Sequence, residues 1–153
     1  MKRIIALSLV CVLAIAAFCS CGQSAKKLSE VFTEIKSEVT LKDFDEFKSA
    51  DDLNRFYGFS ADDVEEYAGG VNNTGVNQEE IVLVKAKDDS AASKVKDALD
   101  NRYKAKLNEN KNYNPEQAKI IEKCKVESDG VYVSMIVSEN ADKITEIFKK
   151  GIG

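Results

Sequence analysis

The sequence predicts an α+β fold: N-terminal helices, then two hairpin-helix (ββα) units forming a four-stranded antiparallel sheet with helices packed on one face. Three observations predict it. Ile81 to Ala86 (IVLVKA) is apolar on both faces, as a strand interior to a sheet requires. Other segments carry apolar residues at helical spacing behind a capping residue. Strand, turn, strand and helix run from about Tyr67 to Leu107 and again from Ala118 to Lys150, with Lys94-Val95 and Ala98-Leu99 matching Lys143-Ile144 and Ile147-Phe148.

The chain opens with Lys2 and Arg3 ahead of an almost uninterrupted apolar run from Ile4 to Phe18, too short and wrongly flanked to span a membrane. This is the pattern of a signal peptide. It ends in Phe18-Cys19-Ser20-Cys21-Gly22, which resembles the lipobox of bacterial lipoproteins, cleaved between a small residue and a cysteine that carries diacylglycerol. The resemblance implies cleavage between Ser20 and Cys21 and lipid attachment to Cys21. Phe18 departs from the aliphatic residue usual in that motif. The expected organisation is a signal peptide over 1–20, a lipidated cysteine and polar tether over 21–27, and one domain over 28–153. Two acyl chains anchor a protein stably where one is marginal.

The elements follow in order. Leu28, Val31, Phe32, Ile35 and Val39 form one helical stripe. Ser49 ahead of Asp51-Asp52 reads as an N-cap with carboxylates where the helix dipole favours them, and that helix stops at Gly58. Ser60-Ala61-Asp62-Asp63 repeats the opening signature. Beyond Tyr67, Gly69-Gly70 and Asn72-Asn73-Thr74-Gly75 mark a weak strand and a turn, and Ile81–Ala86 is the central strand. Asp88 caps a long helix with Ala92, Val95, Leu99 and Arg102 or Tyr103 inward, which fades into Asn108–Asn114 and is closed by Pro115. Residues 118–127 and 131–138 read as a hairpin around Ser128-Asp129-Gly130. Asn140 caps a last helix with Ile144, Ile147 and Phe148 inward.

Composition sets exclusions. Removing residues 1–20 takes two of the 22 basic residues, Lys2 and Arg3, and none of the 26 acidic ones, so the net charge moves from −4 to −6. Nucleic acid, which needs a basic footprint, is not an expected partner. The chain has no histidine, so Ser-His-Asp, Cys-His and His-ligated metal chemistry fall away together, and no cofactor or metal is expected. Of four cysteines, Cys11 and Cys19 leave with the signal peptide and Cys21 takes lipid. Cys124 stands alone, without the partner that a disulfide needs, and its alternation with Ile120 and Val126 in the expected strand points to a buried thiol, with Lys123 and Lys125 on the opposite face.

Further features accumulate in fixed order: Tyr57-Gly58, Asp63-Val64-Glu65-Glu66-Tyr67, Glu79-Glu80-Ile81 leading to Lys85-Ala86, Arg102, Tyr113-x-Pro115-Glu116-Gln117, and Gly130-x-Tyr132-Val133 ending in Ile144 and Phe148. Together, from about Tyr57 to Phe148, they resemble an uncharacterised lipoprotein family of the DUF4358 type, found in clostridial-type Gram-positive bacteria. The resemblance implies an exported, lipid-anchored α+β domain and supplies no catalytic residue.

The resemblance directs attention to Arg102, Tyr113 and Glu116 as the candidate polar site, since they are polar and not obviously required by the secondary-structure pattern. Arg102 shares a helical line with Val95 and Leu99, so its guanidinium must find an acceptor: an internal carboxylate such as Glu116 or Glu80, or an anionic ligand. The paired acids 51–52 and 62–63 read as first-turn caps rather than metal ligands, since the calcium-loop pattern is missing. The functional expectation is a non-enzymatic binding or accessory module on the extracytoplasmic face of the cell membrane, with an envelope protein as partner. The alternatives are a small-solute receptor using Arg102, or a carboxylate-based cell-wall hydrolase with two carboxyls across a cleft.

Overall fold

The computed structural model describes residues 24–153. The signal-peptide reading, Ser20 and Cys21 lie outside the described residues. The order of elements is α1 (Leu28–Glu38), β1 (Phe44–Glu46), α2 (Ala50–Tyr57), a single 3-10 turn (Ala61–Asp63), β2 (Val64–Asn72), β3 (Glu80–Ala86), α3 (Asp89–Tyr113), α4 (Pro115–Ile121), β4 (Lys125–Asp129), β5 (Tyr132–Val137) and α5 (Ala141–Ile152).

Among the described residues the sheet has five strands, not four, in the order β1-β2-β3-β5-β4, and every neighbouring pair is antiparallel. The additional strand is β1, three residues that pair Phe44–Glu46 with Gly70–Asn72. In the sequence, Leu41, Phe44 and Phe47 recur at threes and hide the alternation of so short a strand. Gly69 lies at φ +126°, and a Cβ there would stand 1.9 Å from the Ile81 carbonyl oxygen, so only glycine lets β2 approach β3 this closely.

Helices cover both faces rather than one. On one face α2, α3 and α4 enclose Leu53, Val82, Val84, Val95, Leu99, Ile121, Val133 and Met135. On the other, α1 and α5 enclose Val31, Phe32, Ile35, Ile81, Leu83, Ile136, Ile144 and Phe148. The two ββα units are therefore not equivalent, since α3 and α5 lie on opposite sides of the sheet. The alternation of β3 accounts for this: Val82 and Val84 point to α3, Ile81 and Leu83 to α1 and α5. A strand apolar on both faces needs cover on both.

Local chemistry explains most boundaries. Ser49 and Asp52 form a reciprocal capping box on α2, and Gly58 in the left-handed region ends it. Asp88 caps α3 by accepting from the Ala91 N–H at 2.8 Å. Ser60 opens only the 3-10 turn, accepting from the Asp62 N–H at 3.1 Å, because β2 claims the chain from Val64. Residues 118–121, expected in a strand, belong to α4. Asn114 accepts from the Gln117 N–H, Pro115 occupies the first turn where its missing N–H costs nothing, and Ala118 and Ile121 bury at helical spacing. Asn140 begins α5 without a side-chain cap; the Ser138 hydroxyl accepts the Asn140 N–H instead, at 3.1 Å.

Candidate functional site

α3 continues its inward stripe past Leu99 through Arg102, Lys106 and Asn110, all facing the sheet at helical spacing. Opposite them stands Glu80, the first residue of β3, which shares the face of Val82 and Val84 by strand alternation. Arg102 donates Nε to Glu80 Oε1 at 3.1 Å and an Nη2 hydrogen to Oε2 at 2.9 Å. Lys106 Nζ also lies 2.9 Å from Oε2. The Glu80 side chain is 0 % exposed and that of Lys106 6 %. Burial alone would raise the Glu80 pKa, but hydrogen bonding from Arg102 and the charges of Lys106 and Arg102 outweigh it and hold the carboxyl below its ordinary range.

This network also fixes the loop before β3. Lys106 donates to the Gln78 carbonyl and side-chain oxygens at 3.1 Å each, and the Gln117 side chain accepts the Gln78 N–H at 3.0 Å. Next to Glu80, the Tyr57 ring stacks on Phe59 at 5.9 Å, and its buried hydroxyl finds no hydrogen-bond partner among the described residues. Burial and the Glu80 charge push that phenol well above its ordinary pKa.

The three expected site residues are not brought together. Arg102 is committed to Glu80; Tyr113 is exposed at the far end of α3; Glu116 pairs with Lys119 at 2.8 Å on the surface of α4. Of the two internal acceptors considered for Arg102, Glu80 holds it and Glu116 does not. Lys106 is not among the expected site residues, whereas Glu80 is one of the two acceptors offered for Arg102, and both carry a signal. Glu80 precedes the apolar run in phase with Val82 and Val84, and Lys106 follows Arg102 by four residues. Cys124 is buried, as expected, but it lies between α4 and β4 rather than alternating with Ile120 and Val126 in one strand. Its thiol donates to the Ile120 carbonyl at 3.2 Å, and burial raises its pKa.

Two surface features remain. A polar cleft of about 120 Å³ opens between the loop before β3 and the β5–α5 turn, with Asn77, Glu79, Gln117, Ser138 and Glu139 on its walls. Ser138 donates to Glu79 there, and burial together with the Glu139 charge keeps the Glu79 pKa above its ordinary value despite that bond. A shallower groove of about 340 Å³ follows the outer strand β4, bounded by Lys96 of α3 and by Phe148, Lys149 and Ile152 of α5. Among the described residues, no group of three or more His, Cys, Asp or Glu side chains is placed to hold a metal ion, and no helix is long and apolar enough to cross a membrane.

The family described as "Domain of unknown function (DUF4358)" matches residues 37–138. That span contains all five strands with α2, α3 and α4, and leaves nearly all of α1 and the whole of α5 outside it. No curated protein and no solved structure matches the chain.

Proposed function

The chain belongs to the DUF4358 family, whose description carries no activity, and from that premise we propose that it is a lipid-anchored, extracytoplasmic binding module that docks a protein rather than a small solute. The observation that carries this reading is the bidentate grip of Arg102 on Glu80. A guanidinium that spends its fork on a buried carboxylate is not available to clamp an anionic ligand. What the surface offers instead is the shallow mixed groove along β4, with charged rims and apolar Val126, Phe148 and Ile152 between them. Such a groove suits a protein contact better than an enclosed ligand.

Anchoring is supported by the lipobox-like Phe18-Cys19-Ser20-Cys21-Gly22. The Lys26 N–H bonds the Gly151 carbonyl at 2.8 Å, which holds this end of the domain against the C-terminal end of α5. Four residues lie between Cys21 and Lys26, a reach of at most roughly 18 Å. The domain would then work close to the headgroups, within reach of envelope proteins.

The test is site-specific photocrosslinking in native membranes from Lys96 and Ile152 in the groove and from Asn77 and Glu139 in the cleft. Protein adducts from the groove positions are expected. Adducts confined to the cleft, or to glycan, would overturn the reading.

A second reading, a carboxylate-based hydrolase of cell-wall glycan, draws on one observation: Glu79 and Glu139 line the same cleft, and Glu79 is held toward its protonated form. It requires glycan-hydrolysing activity in the purified lipoprotein that Glu79→Gln abolishes. An inactive wild-type protein would end it.

A further inference from the structure

We propose that the open edge of β4 is a self-association surface and that its occupant is β4 of a second copy of this chain, paired antiparallel about Glu127. The inference rests on the docking role assigned above to this groove and names its partner.

β4 ends the strand order, so one side of its ladder pairs with β5 and the other has no strand partner among the described residues. An open edge is a template for another strand unless something blocks it. The parity of the hairpin fixes which groups are free. Asp129 and Tyr132 flank the two-residue turn Gly130-Val131, with Gly130 at φ +53° as a type II′ turn requires at its first central position. The flanking pair of such a turn exchanges both hydrogen bonds, so Lys125, Glu127 and Asp129 direct their N–H and C=O groups to β5. Val126 and Ser128 direct theirs outward. The Ala86 N–H bond to the Val131 carbonyl, 2.9 Å on the β3 side, agrees with this phase.

Two copies of Lys-Val-Glu-Ser-Asp laid antiparallel about Glu127 are self-complementary. Val126 meets the second copy's Ser128, and these are the residues with free backbone groups, so both exchange ladder bonds. Lys125 meets the second copy's Asp129 at each end, placing opposite charges across the new ladder. Glu127 meets itself at the centre, where like charges oppose association. Each carboxylate, however, already holds Lys149 at 2.8 Å and Lys125 at 3.4 Å. The groove continues this design on both faces, with Val126 beside Lys96 of α3 on one side and Phe148 with Ile152 of α5 on the other. The opposite edge of the sheet, three-residue β1, offers no comparable length.

The experiment uses the full chain in its native membrane. Glu127→Cys places two thiols at a non-hydrogen-bonded position, where Cα atoms stand about 4.5 Å apart and a disulfide can close. Mild oxidation should convert it to a covalent dimer at a yield ~10-fold above that of Lys143→Cys, which is exposed on α5 away from this edge. In detergent solution, Asp129→Lys in an otherwise native sequence should weaken dimerisation ~10-fold by sedimentation, and adding Lys125→Asp should restore it. Equal yields at positions 127 and 143, or no response to Asp129→Lys, would overturn the proposal. A Glu127→Cys disulfide to a different protein would overturn the second copy as occupant while leaving the docking role intact.

Discussion

Arg102 closes on Glu80 through two hydrogen bonds, at 3.1 and 2.9 Å, and joins the centre of the sheet to the middle of α3. Lys106 takes the same carboxylate from one turn further along, so one buried anion faces two cations. Their unequal burial, Glu80 fully enclosed and the Arg102 side chain 38 % exposed, orders the effects of substitution.

Glu80→Gln should cost about 3–5 kcal/mol of unfolding free energy, because it strands two cations against the core. Arg102→Ala should cost less, about 1–3 kcal/mol, since Lys106 still compensates Glu80. Urea unfolding of both variants measures the order. Arg102→Ala that leaves stability unchanged but abolishes envelope crosslinks would make Arg102 a binding residue.

Acid should unfold the protein partly through Glu80. Its folded pKa lies below the ordinary 4.5, so its contribution is present above pH 4.5 and is lost as pH falls from there through the folded value. Glu79 has the opposite sign: its folded pKa is raised, so its contribution is present below pH 4.5 and is lost as pH rises through the folded value. Unfolding in urea at a series of pH values should show a shallower acid loss in Glu80→Gln, and in Glu79→Gln a shallower decline above pH 4.5.

Tyr57→Phe should be neutral or stabilising by up to about 1 kcal/mol, since it removes a buried hydroxyl without a partner next to a carboxylate. Thermal unfolding reads this directly, and a clear loss of stability would mean that the hydroxyl is satisfied.

Gly151→Ala should lower stability by about 1–3 kcal/mol despite the better helix propensity of alanine. The new Cβ would stand 2.5 Å from Val31 Cγ2, where α5 meets α1. Hydrogen exchange should show the loss concentrated in α1.

The elements carried by strong local chemistry were legible in the sequence. The stripe from Leu28 to Val39, the Ser49 box, the Asp88 cap and the doubly apolar Ile81–Ala86 all appear where their residues place them. What the sequence hid was long-range. β1 can pair with β2 because Gly70 leaves room for the Asp45 backbone, and nothing within Phe44–Glu46 announces it. Reading the two hairpins as a repeat placed their helices together, whereas the face each helix takes is decided by β3, shared between both layers. For residues 118–121 the alternation suggests a strand, and Pro115, which the sequence offers as the close of the preceding helix, instead opens a new one behind Asn114. At the candidate site Arg102 was recognised from its helical phase. Its partner was left open between Glu80 and Glu116, because sequence distance says nothing about which carboxylate the sheet presents.

We propose that this domain works while held by lipid at the outer face of the membrane. The measurement that bears on it most directly is fractionation of wild type and Cys21→Ser, with the mass of the N-terminal peptide of each. Wild type should sediment with membranes carrying a diacylglyceryl group on Cys21, and Cys21→Ser should appear in the soluble fraction as a folded protein. Membrane retention of Cys21→Ser, or an unmodified Cys21 in wild type, would contradict it.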